Sequence, residues 1–326
     1  MRLRARMKAV FAGTSRSAGP ALVPRAATLA RPEGVRDYLV AVPPAPSSAR
    51  RALVVVLHGA GASARQVLGQ AFPPSPLSVF LEIAARDDVV VIAPDAGKGG
   101  WSDCFASPER AAAKDDVAFV AALIDHAVAA HGVDPGRVYV AGVSRGGWMT
   151  YRLMAAMPYR LAACVSVLAG MPPPDHPGLP TVPLPLLVAG CTADPMIPYH
   201  GGKHRYAPPF VPVVRGIEDT ARFWRELAGL PDTPVRTAIP PADPRGRTRA
   251  TRYVWGGRVD GMQVALLRID GAGHAEPSRL KRYPGLFRAF PGRQNGDLEM
   301  AEEAWDFLRD KRARHGSSPL DRNNLF

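Results

Sequence analysis

Apolar positions in this chain gather into short continuous runs, separated by stretches in which they recur with helical period. From Arg36 onward, residues 38–42, 52–57, 89–93, 137–141, 162–167, 184–189, 251–254 and 264–269 read as strands. Several of these runs show no polar alternation, which is the pattern of strands covered on both faces. Between them, residues 79–85, 115–130, 145–157, 217–227 and 298–312 have the amphipathic spacing of helices. Strand then helix, repeated, predicts an α/β fold: a mostly parallel central sheet with helices on both faces, since parallel neighbours need crossover connections. The proline-rich segments 43–46, 172–185, 208–212 and 231–244 read as loops, and no internal repeat is visible.

Length and composition agree with that pattern. A chain of 326 residues with 47% hydrophobic and 21% charged residues can bury a core without disulfide staples. The longest candidate for a membrane span, residues 161–170, is about half the roughly 20 residues a spanning helix needs. Cys104, Cys164 and Cys191 permit one internal disulfide at most and lack metal-ligand spacing, so no metal site is predicted. The net charge is +12, but seven basic and no acidic residues fall within the first 32 positions. Residues 1–34 are therefore expected to be a basic, disordered tail, 35–312 the catalytic domain and 313–326 a second tail. Arg16 and small polar residues interrupt the apolar stretch that a secretory signal needs. The charge matches no interleaved basic and aromatic nucleic-acid module.

Four segments carry candidate chemistry. In Gly142-Val143-Ser144-Arg145-Gly146, a strand turns sharply into a helix at G-x-S-x-G, where glycines flank the serine because the turn leaves no room for side chains. Ser144 is the candidate nucleophile. The run from Leu53 to Leu57 ends in His58-Gly59-Ala60-Gly61. A backbone N–H after such a turn, here Ala60, and the N–H of Arg145 after the nucleophile are the candidate oxyanion donors. His58 reads as a structural hydrogen-bonding residue. A third strand delivers Asp194, the candidate partner of an imidazole, with Asp270 as the rival acid. The last strand leads into Gly271-Ala272-Gly273-His274, and His274 follows both candidate nucleophile and candidate acid. The order Ser144, Asp194, His274 is that of the α/β-hydrolase arrangement. Trp101 sits at another strand end, where it either walls the acyl or alcohol site or anchors the loop.

With these motifs in view, the chain resembles the esterase family that includes extracellular polyhydroxybutyrate depolymerases, LpqC-like esterases, and bacterial feruloyl and acetylxylan esterases. The resemblance runs from about Tyr38 to Leu308. It rests on His58 to Gly61, on Asp115-Asp116-Val117-Ala118-Phe119 leading to Val133-Asp134-Pro135-Gly136-Arg137, on Gly142 to Gly147, and on Gly190 to Tyr199 with His200-Gly201-Gly202. It implies an α/β-hydrolase fold and hydrolysis of carboxylic esters through an acyl-enzyme, without metal or organic cofactor. The implied substrates are polyesters such as polyhydroxybutyrate or its oligomers, or feruloyl and acetyl-type esters. Relatives of this kind are often exported to the periplasm or medium, whereas the N-terminus leaves a cytoplasmic location open; oligomeric state is not read.

Departures from the family pattern mark out the surroundings of the site. Arg145 and Trp148 stand where smaller or uncharged residues are common, so the pocket beside Ser144 is expected to differ. Residues 203–212 look like an insertion. After His274 the chain runs Arg279-Leu280-Lys281-Arg282-Tyr283, a basic and partly aromatic segment expected to act as a lid or to contact substrate through Arg279 and Lys281. Together with Arg288 and Arg293 it would also suit amide hydrolysis in an anionic, polyaspartate-like polymer. A non-catalytic binding module with the same fold is the other alternative.

Overall fold

The computed structural model describes residues 21–44, 49–203, 212–257, 261–285 and 291–314. Ten strands make one sheet in these residues: β1 (Arg25–Arg31), β2 (Gly34–Ala41), β3 (Arg51–Leu57), β4 (Val89–Pro94), β5 (Val133–Val143), β6 (Ala163–Val167), β7 (Leu186–Cys191), β8 (Val235–Ile239), β9 (Arg249–Gly256) and β10 (Gln263–Asp270). Their spatial order is β1-β2-β4-β3-β5-β6-β7-β10-β9-β8. The centre, from β4 to β10, is parallel throughout, and antiparallel strands flank it on both sides.

Strand β3 shows why the layers form. Its residues Ala52 to Leu57 are all buried. Val54 and Val56 join one apolar cluster, while Leu53, Val55 and Leu57 join the other. Side chains alternate along a strand, so an unbroken apolar run needs a core on each face. The first face is covered by α1 (Ala64–Val67), α2 (Phe80–Asp87) and, from the far end of the chain, α7 (Met300–Leu308). After α3 (Pro108–Ala113), helices α4 (Asp116–His131), α5 (Arg145–Ala156) and α6 (Ile217–Leu227) cover the other, burying Phe119, Tyr151 and Trp224. Cutting Leu53 back to alanine in such a core would cost about 2–5 kcal/mol.

The fold is the α/β-hydrolase fold. From β3 the chain crosses to β4 on one side and then to β5 on the other. That reversal opens a crevice outside the carboxyl ends of β3 and β5, the ordinary place for a site in a wound parallel sheet.

Three expectations need correction. Residues 25–31 lie within the expected basic tail but pair along their whole length with β2 as strand β1. Most side chains of β8, in a stretch expected to be loop, are exposed; it is held by its backbone ladder to β9. The last helix ends at Leu308 rather than Arg312, because the following residues turn back: the Tyr139 hydroxyl donates to the Lys311 carbonyl at 2.8 Å. The possible insertion at 203–212 falls largely outside the described residues. Among the described residues, no helix is long and apolar enough to cross a membrane, and no group of His, Cys, Asp or Glu could hold a metal.

Candidate active site

Strand β5 passes into α5 through Ser144, which has φ +54° and ψ −120°. A side-chain-bearing residue there is strained by about 1–3 kcal/mol, and the surroundings hold it in place. The Ser144 N–H donates to the Val167 carbonyl of β6 at 2.8 Å, and its own carbonyl accepts from Gly147 N–H at 2.8 Å. The glycines are obligatory: a Cβ on Gly142 would run into the Gly146 carbonyl, and one on Gly146 into the Leu57 carbonyl of β3. The turn thus presses β5 and α5 so close to β3 that Gly59, after β3, lies beside Ser144. A Cβ on Gly59 would stand 3.5 Å from that of Ser144.

Strand β7 delivers Asp194 in a turn. Its Oδ1 accepts the N–H groups of Met196 and Ile197 at 2.8 and 2.9 Å, which fixes the carboxylate and leaves Oδ2 for the neighbouring strand end. That strand is β10. Its extension is tied to β7 by Thr192 N–H to the Ile269 carbonyl and Ala193 N–H to the Ala272 carbonyl, both 3.0 Å. His274 follows, with its backbone N–H donating to Pro291 O and that of Gly273 to Arg293 O at 2.8 Å.

The imidazole bridges the other two residues. His274 Nδ1 lies 2.7 Å from Asp194 Oδ2, and Nε2 lies 3.0 Å from Ser144 Oγ. An N–H on Nδ1 donating to the carboxylate leaves the Nε2 lone pair to accept the serine proton. Burial alone would hold the imidazole neutral. The Asp194 charge and hydrogen bond, with a further contribution from Glu276, outweigh it and raise the His274 pKa above the usual histidine value. The rival acid Asp270 is engaged elsewhere, accepting from Arg268 Nε at 2.9 Å.

The remaining expected residues separate by where their side chains point. His58 is structural, as anticipated: Nδ1 meets the Gly59 carbonyl at 2.8 Å, Nε2 accepts the Ala96 N–H at 3.1 Å, and burial lowers its pKa. Ala60 occupies the turn after it. Arg145 is the first residue of α5, where N–H groups have no partner within the helix and the helix dipole favours negative charge. Trp101 does not wall a substrate site. It is wholly buried against the His58 ring and donates its indole N–H to the His58 carbonyl at 2.8 Å. Trp148 is 7% exposed, donates to Gly170 O at 3.1 Å and packs edge-on against Phe105, so it belongs to the core beneath the site.

The basic segment after His274 is likewise not a free lid. The Arg279 guanidinium donates to the Asp297 carbonyl, Lys281 Nζ stands 3.7 Å from Glu82 of α2, and Arg282 donates to the carbonyls of Ser278, Gln294 and Asn295. Arg279 and Arg282 are spent on holding residues 276–283 against 291–299, and Lys281 faces α2. Arg288 lies outside the described residues. A cleft of about 710 Å³, with Arg247 and Arg293 on its walls, opens beyond this strap rather than over Ser144.

Sequence reasoning passed over two carboxylates. Asp103 is buried and ion-paired to Arg145 at 2.6 Å. Glu276 accepts from Ser75 Oγ at 2.8 Å and Tyr283 OH at 2.7 Å. Neither sits in a motif, and only their burial distinguishes them. The Asp115-Asp116 motif has a local reason: Asp115 caps α4 through Ala118 N–H, and Asp116 is fully buried.

Residues 41–207, half of the chain, match the model of the phospholipase/carboxylesterase family. The chain belongs to that family. NocK of Nocardia uniformis subsp. tsuyamanensis, named as an esterase, is 33% identical over 274 residues, covering 79% of this chain and 74% of its own. A poly(3-hydroxybutyrate) depolymerase of Ralstonia pickettii is 32% identical over 165 residues, 48% of this chain and 32% of that protein. The feruloyl esterase B of Piromyces equi is 24% identical over 213 residues, 64% of this chain and 38% of its own. The chain thus spans about three quarters of the first of these relatives and about a third of the length of the other two. Among solved structures, the acetyl xylan esterase from Aspergillus awamori superposes with a TM-score of 0.51 at 15% identity, over 82% of this chain and 98% of its own, a likeness of fold. The protein is an esterase-type hydrolase with an α/β-hydrolase fold.

Proposed function

We propose that this carboxylesterase works through a Ser144–His274–Asp194 triad. The observation that carries the reading is the position of the His274 ring, within hydrogen-bond reach of Ser144 on one side and Asp194 on the other. His274 Nε2 takes the Ser144 proton as the oxygen attacks the ester carbonyl, and Asp194 stabilises the imidazolium. The Ala60 and Arg145 N–H groups hold the oxyanion of the tetrahedral intermediate. Its collapse expels the alcohol, which leaves with the proton from Nε2. Water, deprotonated by the same nitrogen, then attacks the acyl-enzyme and releases the acid.

The substrate classes we propose are polyesters of the polyhydroxybutyrate kind or their oligomers, and feruloyl or acetyl-type esters, by analogy with the relatives named above. Amide hydrolysis in an anionic polymer is less well supported, because Arg279, Lys281 and Arg282 of the cluster that favoured it are engaged in the fold and Arg293 stands on the neighbouring cleft. A silent binding module has no use for a histidine aligned with both partners.

Ser144→Ala tests the reading. Turnover of p-nitrophenyl esters and fluorophosphonate labelling should both vanish with the fold intact, and retention of either would move the nucleophile elsewhere. Rates on p-nitrophenyl esters of increasing chain length, on a feruloyl ester and on a polyester film rank the substrate classes. A wild-type enzyme inactive on all of them would overturn the proposed classes.

A further inference from the structure

Arg145 carries an unusual burden for the residue after a candidate nucleophile. Its guanidinium is ion-paired to Asp103, Nε to Oδ2 at 2.6 Å, and it donates from Nη2 to the Trp101 carbonyl at 2.8 Å and from Nη1 to the Gly99 carbonyl at 3.1 Å. The Asp103 carboxylate is almost wholly buried, so the pair is poorly screened. Gly100 has φ +76°, and a Cβ on it would come within 2.6 Å of the Arg145 guanidinium. The loop is therefore wrapped around that side chain. Other cations hold the same loop from outside: Lys114 Nζ donates to Gly100 O at 3.0 Å and Arg152 to Ser102 O at 2.6 Å.

The loop then reaches the second oxyanion segment. Trp101, whose carbonyl accepts from Arg145, donates its indole N–H to the His58 carbonyl at 2.8 Å. His58 in turn is fixed through both ring nitrogens and immediately precedes Gly59 and Ala60. A short chain of bonds thus runs from Arg145, whose own N–H is one candidate oxyanion donor, through Trp101 and His58 to the turn that presents the other. These two donors come from different strand ends, after β5 and after β3; the backbone ladder pairs those strands as far as Leu57 and Gly142, and the Arg145 side chain adds a second tie beyond it.

We propose that the Arg145 side chain is a positioning residue that sets the spacing of the two oxyanion N–H groups, with Asp103 and Trp101 as its relays. The inference rests on the Ser144 reading above. Oxyanion donors act only when aimed at the position the charged oxygen takes in the transition state, so a loosened brace lowers kcat and leaves substrate binding in place.

The test compares Arg145→Gln, Arg145→Lys, Asp103→Asn and Trp101→Phe with the wild type. Readouts are kcat and KM on p-nitrophenyl acetate, inhibition by an alkylboronic acid that forms a tetrahedral adduct on serine, and the final extent of fluorophosphonate labelling. For Arg145→Gln, kcat should fall about 10- to 100-fold with KM changed by less than about threefold, and boronic acid affinity should weaken by a similar factor. Labelling should still go to completion, only more slowly. Arg145→Lys should recover part of the loss, and Trp101→Phe should reproduce it from the other donor. The brace is overturned if kcat stays within about twofold of wild type in Arg145→Gln and Trp101→Phe, or if boronic acid binding is unchanged while kcat falls. It is also overturned if the lost activity equals the lost fraction of labelled enzyme, which would make Arg145 merely structural. Should Arg145→Gln not fold, Asp103→Asn and Trp101→Phe decide the question through the same three readouts. Failure of the Ser144 reading shows separately, as activity surviving in Ser144→Ala.

Discussion

At the scale of single residues, the proposed mechanism makes the balance at His274 the setter of the working pH range. Burial opposes charge on the ring, and the carboxylates of Asp194 and Glu276 more than offset it, so the free-enzyme pKa lies above the usual value for histidine. A base with a raised pKa is lost earlier as the pH falls, so the acid limb of kcat/KM should sit above pH 6.5, the ordinary histidine value. The same shift has a stability consequence of the opposite sense: its contribution is complete below the unfolded-state pKa and disappears as pH rises through the folded-state one. Glu276 is a means of separating the two carboxylates, because it influences the ring without bonding to it. Glu276→Gln should move the acid limb to lower pH and leave a working enzyme, since the Asp194 bond remains. Asp194→Asn should instead lower kcat by roughly 10⁴-fold, because the amide can present its N–H to Nδ1 and favour the wrong tautomer. pH–rate profiles of both variants check this, and an unmoved limb in Glu276→Gln would remove that residue from the account.

At the scale of elements, the start of α4 holds the loop on which Trp101 and Asp103 stand. Asp116 is fully buried, accepts from Arg36 Nη2 at 2.5 Å with one oxygen and from the Ser102 N–H at 2.6 Å with the other. Arg36 lies over the Phe119 ring at 4.1 Å, so strand β2, helix α4 and the loop meet at one buried charge pair. Removing one partner strands the other, at a cost of about 3–5 kcal/mol. Asp116→Ala should therefore lower the melting temperature by on the order of 5–10 °C, and should lower kcat as well, by freeing the Ser102 backbone. Calorimetry together with kinetics distinguishes this from a surface ion pair, whose loss would move neither.

The elements also show what was readable beforehand. Strands β3, β4 and β7 were visible because their runs are apolar without interruption, and α6 because its stripe is strongly one-sided. Ser144, Asp194 and His274 were visible because each follows the end of a strand, β5, β7 and β10 respectively. Strand β1 was not, since it lies at the sheet edge and half its side chains face solvent. The directions of Trp101, Arg279 and Lys281 were also hidden. A one-dimensional pattern locates a residue at a strand end or in a basic run, but whether its side chain meets a ligand or a neighbouring carbonyl depends on contacts with distant segments.

For the molecule as a whole, the charge of +12 invites an expectation of electrostatic attraction that the side chains do not support. More than half of it belongs to the first 32 residues, and near the site the cations are committed: Arg145 to Asp103, Lys281 to Glu82, and Arg279 and Arg282 to backbone carbonyls. The Asp103 and Glu82 carboxylates cancel much of the field of Arg145 and Lys281 beyond a Debye length of about 8–10 Å in ordinary buffers, while Arg279, bonded to a carbonyl, keeps its charge. The proposed reaction takes place at an uncharged acyl group. For a neutral ester, kcat/KM should therefore vary little between about 20 and 500 mM salt, because neither encounter nor chemistry depends on long-range attraction. An oligomer carrying carboxylates should gain no advantage over a neutral one of equal length at low salt. Measuring both substrates across that range checks the point. A steep loss of turnover with salt for the anionic oligomer alone would mean that free cations such as Arg247 and Arg293 on the neighbouring cleft reach the substrate after all.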